Sequence, residues 1–165
     1  MKNRAIWMNL LLVVLAALGM TSAVFVQSCS RGGQAFQGDA AGQANDILRR
    51  ADVKGGLVVH INCGSGVLTA ALKANDSYLV HGLDSKSENV LKARQYLASK
   101  GDYGPVSVDR LTGKLLPYTD NLVNLIVAED LGDISMDEVM RVLTPNGVVM
   151  LKQGNDWKRM VKPRP

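Results

Sequence analysis

A chain of 165 residues with a net charge of +4 has room for one small domain, and a second is excluded by length. Part of the positive charge sits at the ends, at Lys2 and Arg4 and at Lys158, Arg159, Lys162 and Arg164. Between them acids and bases nearly balance, and no basic stripe interleaved with aromatics argues for a nucleic-acid partner.

The N-terminus reads as a signal peptide or membrane anchor over residues 1–30, because Lys2 and Arg4 precede a mostly apolar run from Ala5 to Val26. Thr21-Ser22-Ala23 offers small residues suited to cleavage, and Val26-Gln27-Ser28-Cys29 distantly resembles a lipoprotein box with Gln27 as a poor fit. Positive charge ahead of the run places the remainder outside the cytoplasm, on the periplasmic or cell-envelope side, with membrane contact through this segment if it is uncleaved or lipidated. Residues 31–43, rich in Gly, Gln and Ala without periodicity, read as a linker. The two cysteines, Cys29 and Cys63, give no disulfide framework.

From residue 44 to 152, short β-branched runs alternate with helical stretches, the pattern of a mostly parallel α/β sheet. Asn45–Ala51 is a leading helix, Leu57–Ile61 a first strand, and Cys63-Gly64-Ser65-Gly66 turns into a helix through Leu68, Ala71 and Leu72. Tyr78–Leu83 is a second strand ending at Asp84. Ser87 is placed to cap the next helix, whose Val90, Ala93 and Leu97 recur at helical spacing before Gly101 stops it. Val106–Val108, Leu122–Ala128 and Val148–Leu151 complete five visible strands. Ser135 and Glu138 are spaced as a capping box, Thr144-Pro145-Asn146-Gly147 as a turn, and residues 153–165 as a tail or linker.

The chemistry-bearing feature is the strand Val58-Val59-His60-Ile61 running into Asn62-Cys63-Gly64-Ser65-Gly66 and a helix. Glycines let backbone approach a ligand closely, and the helix start aims free amides at polar groups. Asp84 lies 18 residues after Gly66 at the end of the next strand, where a carboxylate can accept both hydroxyls of a ribose. An ordinary turn with Asp84 capping its helix is the plainer alternative. Cys63 packs as a small apolar residue, and His81, inside a strand, is structural.

These motifs resemble the class I S-adenosylmethionine-dependent methyltransferase family, of the type 11-like kind, over roughly Leu57 to Leu151. His81-Gly82-Leu83-Asp84 is similar to the family's second motif, Leu116-Pro117-Tyr118-Thr119-Asp120-Asn121 to the segment before the fourth strand, and Arg141-Val142-Leu143-Thr144-Pro145-Asn146-Gly147 to the turn before the fifth. The resemblance implies a Rossmann-like sheet, S-adenosyl-L-methionine as cofactor, and His60, Asn62, Cys63, Gly64, Ser65, Gly66, Asp84 and Ser85 around it. It implies no metal. The family's last hairpin is expected to be truncated or missing. With the exported N-terminus, the chain is also similar to secreted bacterial proteins in which such a domain precedes a pyrroloquinoline-quinone-type β-propeller.

Three positions depart from the family. His60 replaces an acid near the methionine amino group, Asn62 replaces a glycine while tolerating positive φ, and Thr112 stands near the place of an acid that holds the adenine amino group. Glu129 and Asp130, after the fourth strand, are the candidates to orient a nucleophile or act as a base; solvating a loop is the other reading. The expected activity is methyl transfer to a small-molecule or protein acceptor that the sequence does not identify. The alternative is a non-catalytic module of an exported protein, since S-adenosylmethionine is a cytosolic metabolite and the motif's acid is replaced.

Overall fold

The computed structural model describes residues 31–164, and from Gln37 onward these form one unit. The elements in chain order are α1 Arg31–Ala51, β1 Gly56–Ile61, α2 Val67–Ala71, β2 Tyr78–Asp84, α3 Ser87–Lys100 and β3 Val106–Arg110. They are followed by β4 Val123–Ala128, α4 Met136–Val142, β5 Leu143–Gln153 and β6 Asp156–Val161. The six strands form one sheet in the order β3-β2-β1-β4-β5-β6, parallel except for β6.

Both faces of the inner strands are covered, which explains why they read as continuous apolar runs and not as alternating ones. On one face Val58, Val80, Val108, Leu125 and Val127 pack with Ile47 and Ala51 of α1 and with Val90, Ala93 and Leu97 of α3. On the other, Val59, Ile61, Leu83 and Ile126 meet Val139 and Val142 of α4 and Leu111 and Leu116 of the β3–β4 connection. Helix α3 ends at Gly101, where φ is 74° and the amides of Gly101 and Asp102 reach the carbonyls of Ala98 and Leu97.

The fold is the expected α/β sheet, with three differences in detail, one of which adds a sixth strand to the five expected. Residues 31–43, expected as a linker, lie in α1, whose apolar positions from Ala40 onward face the core. Residues 156–161 of the expected tail form β6, which turns back on β5 through Gly154-Asn155, with glycine at φ 60° in the first central position. Thr144–Gly147 is a bulge inside β5, because Leu143 faces Val123 while Val148 already faces Leu125. Asn146 at φ 63° and the amide of Lys162 hold that bulge.

Helix starts divide the same way. Ser135 caps α4 by accepting from the Glu138 amide at 3.2 Å, but the Glu138 carboxylate turns away from the cap. Ser87 is the first residue of α3 and caps nothing; Lys86 holds the cap position. The apolar run 5–26 and Cys29 lie outside the described residues. Among the described residues no helix is long and apolar enough to cross a membrane.

Strand β6 is fastened to the core by Trp157, which is buried against the α1 face, and to α1 by the Arg50–Asp156 ion pair at 2.5 Å. Trp157→Ala should therefore destabilise the domain by about 3–5 kcal/mol in urea unfolding, as large core truncations do. An unchanged midpoint would return residues 153–165 to the status of a free tail.

Candidate functional site

The direction of winding reverses between β1 and β4, and in open α/β sheets the crevice beyond the carboxyl ends of the strands at such a point is where ligands bind. Three segments meet there: Asn62–Gly66 after β1, Asp84–Ser85 at the end of β2, and Glu129–Asp130 after β4. Asn62 holds φ 57°, the left-handed conformation expected of it. Its side-chain amide donates to the Asp130 carbonyl at 2.8 Å, so it bridges the reversal point.

The two glycines of the turn serve different ends. A Cβ on Gly66, at φ 78°, would lie 2.8 Å from the Ala93 side chain, so this glycine lets α2 pack against α3. A Cβ on Gly64 would meet nothing within 4 Å, so the ground above Gly64 is open. Ser65 is exposed beside it, as is Ser85 after β2.

Asp84 is only 3% exposed. Its Oδ2 accepts from the Gly64 amide at 2.9 Å, its Oδ1 from the Lys86 amide at 2.9 Å, and the Asn89 Nδ2 donates to both oxygens at 3.1 Å. The carboxylate thus forms an Asx-turn with Lys86, which itself holds the cap position of α3, and it ties the glycine turn to the end of β2. Asn89 was not anticipated from sequence, although its place five residues after Asp84, in the first turn of the helix, is the signal that could have found it.

His60 is equally buried, at 3% exposed, and its Nδ1 lies 2.8 Å from the Thr69 hydroxyl, while Nε2 has no protein partner. Burial lowers its pKa from 6.5 to about 4, against a smaller upward pull from Glu129 and Asp84. The ring is therefore neutral at pH 7 and supplies no charge for an ammonium. Cys63 is buried, and burial pushes its thiol up to about 12, so it packs as expected and is no nucleophile at neutral pH.

Glu129 and Asp130 sit at the carboxyl edge as expected. Glu129 is paired with Lys152 at 2.7 Å, and the Asp130 side chain accepts from the Gly132 amide at 3.0 Å. Thr112 is exposed in the connection after β3. His81 is structural: Nε2 faces Asp109 at 3.1 Å and Nδ1 takes the Tyr118 hydroxyl at 2.7 Å.

That histidine is one end of a clamp on the β3–β4 connection. Buried Glu138 accepts from the Leu116 amide at 2.7 Å and from Arg141, which also reaches the Tyr118 carbonyl at 3.1 Å and Asp120 at 2.5 Å. The Arg141 guanidinium holds the Glu138 carboxyl below its usual range, against the upward push of desolvation. Among the described residues no cluster of side chains is arranged to hold a metal ion.

No family model matches the sequence, and no curated protein matches it. Solved structures do match its fold. A proposed S-adenosyl-L-methionine-dependent methyltransferase of Methanococcus maripaludis superposes with a TM-score of 0.64 at 20% identity, covering 70% of this chain and 56% of that one. The [4+2]-cyclase SpnF matches with a TM-score of 0.61 at 21% identity, over 67% of this chain and 43% of its own. Phosphoethanolamine N-methyltransferase 2 of Haemonchus contortus, solved with S-adenosyl-L-methionine, matches with a TM-score of 0.57 at 18% identity, over 67% and 27%. The fold is that of the class I methyltransferases, and the chain spans about half the length of the first two structures.

The burial of His60 has a measurable consequence. Between pH 6.5 and about 4 the unfolded chain takes up a proton that the folded ring refuses, so this residue's contribution to stability is present above pH 6.5 and is lost as pH falls. Comparing urea unfolding at pH 7 and pH 5, the wild type should lose about 2 kcal/mol more than His60→Gln. Equal losses would mean that the ring titrates as it does in the unfolded chain.

Proposed function

We propose that the glycine turn and Asp84 bind S-adenosylmethionine, and that the domain transfers its methyl group to an acceptor arriving at the carboxyl edge of β4, beside Glu129 and Asp130. The observation that carries this reading is the open ground above Gly64 next to a carboxylate fixed on the Gly64 amide at 2.9 Å. Backbone can approach a ligand there, and a carboxylate stands where ribose hydroxyls need acceptors. Asn62, Cys63, Gly64, Ser65 and Gly66 would form the floor, with Asp84 and Ser85 at the nucleoside end. His60, buried and neutral, would bring no charge to the methionine end.

The cofactor supplies an electrophilic methyl group on a sulfonium, so the protein's task is chiefly alignment of acceptor and methyl, and a strong base is optional. A Glu129 carboxylate held by Lys152 suits that role, because it can accept a hydrogen bond from a donor group on the acceptor and so orient it. Structural likeness alone does not choose the acceptor, as the cyclase of the same fold illustrates.

Calorimetry of the full chain with S-adenosylmethionine and S-adenosylhomocysteine tests the reading. The wild type should bind, and Asp84→Asn, with its fold checked by circular dichroism, should bind at least about 10-fold more weakly, since hydrogen bonds to a charged group are worth about 1.5–3 kcal/mol. No heat with either ligand at millimolar concentration would leave the fold serving as an interaction module.

We also propose an exported location, supported by Lys2 and Arg4 ahead of the apolar run Ala5–Val26, and with it the kinship to exported proteins that continue into a pyrroloquinoline-quinone-type β-propeller. Alkaline phosphatase fused after Pro165 should be active in a bacterial host. Activity of only a cytosolic reporter at that point would reverse the topology.

A further inference from the structure

Resting on the nucleoside-binding reading, we infer that Asn89 sets the affinity of the site, because its side-chain amide occupies the acceptors of Asp84 that ribose hydroxyls would need. A carboxylate has about four acceptor positions. On Asp84 all are addressed from within the chain: Gly64 and Lys86 each donate a backbone amide at 2.9 Å to different oxygens, and Asn89 Nδ2 lies 3.1 Å from both. Equal distances put Nδ2 astride the two oxygens, where a bidentate partner such as a vicinal diol would otherwise sit.

The three donors differ in what they can do. The Gly64 and Lys86 amides belong to backbone that is fixed by the glycine turn and by the start of α3. Asn89 is the one donor of the three that can leave by side-chain rotation. It is half-buried, so its amide can reach water after leaving, whereas Asp84 is 3% exposed and, while Asn89 stays, has both oxygens engaged by it. A ligand then binds only the fraction of molecules in which Asn89 has swung away, and its apparent dissociation constant is raised by the reciprocal of that fraction. Asn89 is thus a specificity-determining residue acting through Asp84, and it discriminates by ribose hydroxyls.

The test uses the full chain and three probes: S-adenosylhomocysteine, adenosine and 2′,3′-dideoxyadenosine. In Asn89→Ala, and in Asn89→Leu, which refills the volume without a donor, S-adenosylhomocysteine and adenosine should bind about 10-fold tighter than in the wild type. Binding of the dideoxynucleoside should stay where it was. A purely structural role for Asn89 would not change the ratio of adenosine to dideoxyadenosine affinity. If both variants fold, as judged by thermal melting, and that ratio is unchanged or adenosine binds more weakly, the inference is overturned. Wild-type binding of S-adenosylhomocysteine alongside that result would leave the cofactor reading standing. Silence of wild type and variants towards all three probes at millimolar concentration would remove both.

Discussion

The Asp84 carboxylate joins three parts of the chain: the turn after β1, the end of β2 and the first turn of α3. Its position follows from the parallel pairing of β1 with β2, which sets Ile61 opposite Leu83 and so brings the residues that follow to the same edge. Once Gly64 is tied to Asp84 and Asn62 is tied to the Asp130 carbonyl, the turn is held from both neighbouring strands. Such a turn can be both rigid and open above Gly64, because its hydrogen bonds run sideways into the sheet.

The same bonds set a conflict between holding the turn and holding a ligand. A carboxylate with every acceptor position filled is favourable for folding, since a buried unpaired charge would be costly. It is correspondingly less ready to bind. His60 shows the opposite imbalance. Its Nε2 is buried without a protein partner, a cost of about 1–3 kcal/mol, and its ring is neutral because burial outweighs two carboxylates in the vicinity. Where the family that the sequence resembles has an acid, this chain thus has a neutral ring, while Asp84 still places a carboxylate at the end of β2.

Most of the fold was legible because its signals are local. Leu57–Ile61, Tyr78–Leu83 and Leu122–Ala128 are apolar runs bounded by turn residues, and the structure moves their ends by one residue or less. Residues 31–43 were misread because their Gly, Gln and Ala content hides the α1 face, on which small Ala40 and Ala44 are buried without a conspicuous apolar stripe. The tail was misread because Lys158, Arg159 and Lys162 surround a lone Trp157, and it takes the pairing with β5 to show that this tryptophan is core. At the site, positions were readable and partners were not. The sequence places Asp84 beside Gly64, but that Asn89 closes over the carboxylate, or that Glu129 meets Lys152 from β5, depends on contacts across elements.

The two faces of the sheet bear on where an acceptor can approach. Three helices cover one face, whereas among the described residues a single short helix, α4, and the β3–β4 connection cover the other. That connection is not regular, so its packing depends on being tied down. Arg141 does this by gathering the carbonyl of Tyr118, the carboxylates of Asp120 and Glu138, and through Glu138 the amide of Leu116. Tyr118, pinned in turn to His81, then lies over the β2 side of the sheet. Arg141 thus fastens the connection on the α4 face, as Asn62 fastens the glycine turn to the segment after β4 by its bond to the Asp130 carbonyl.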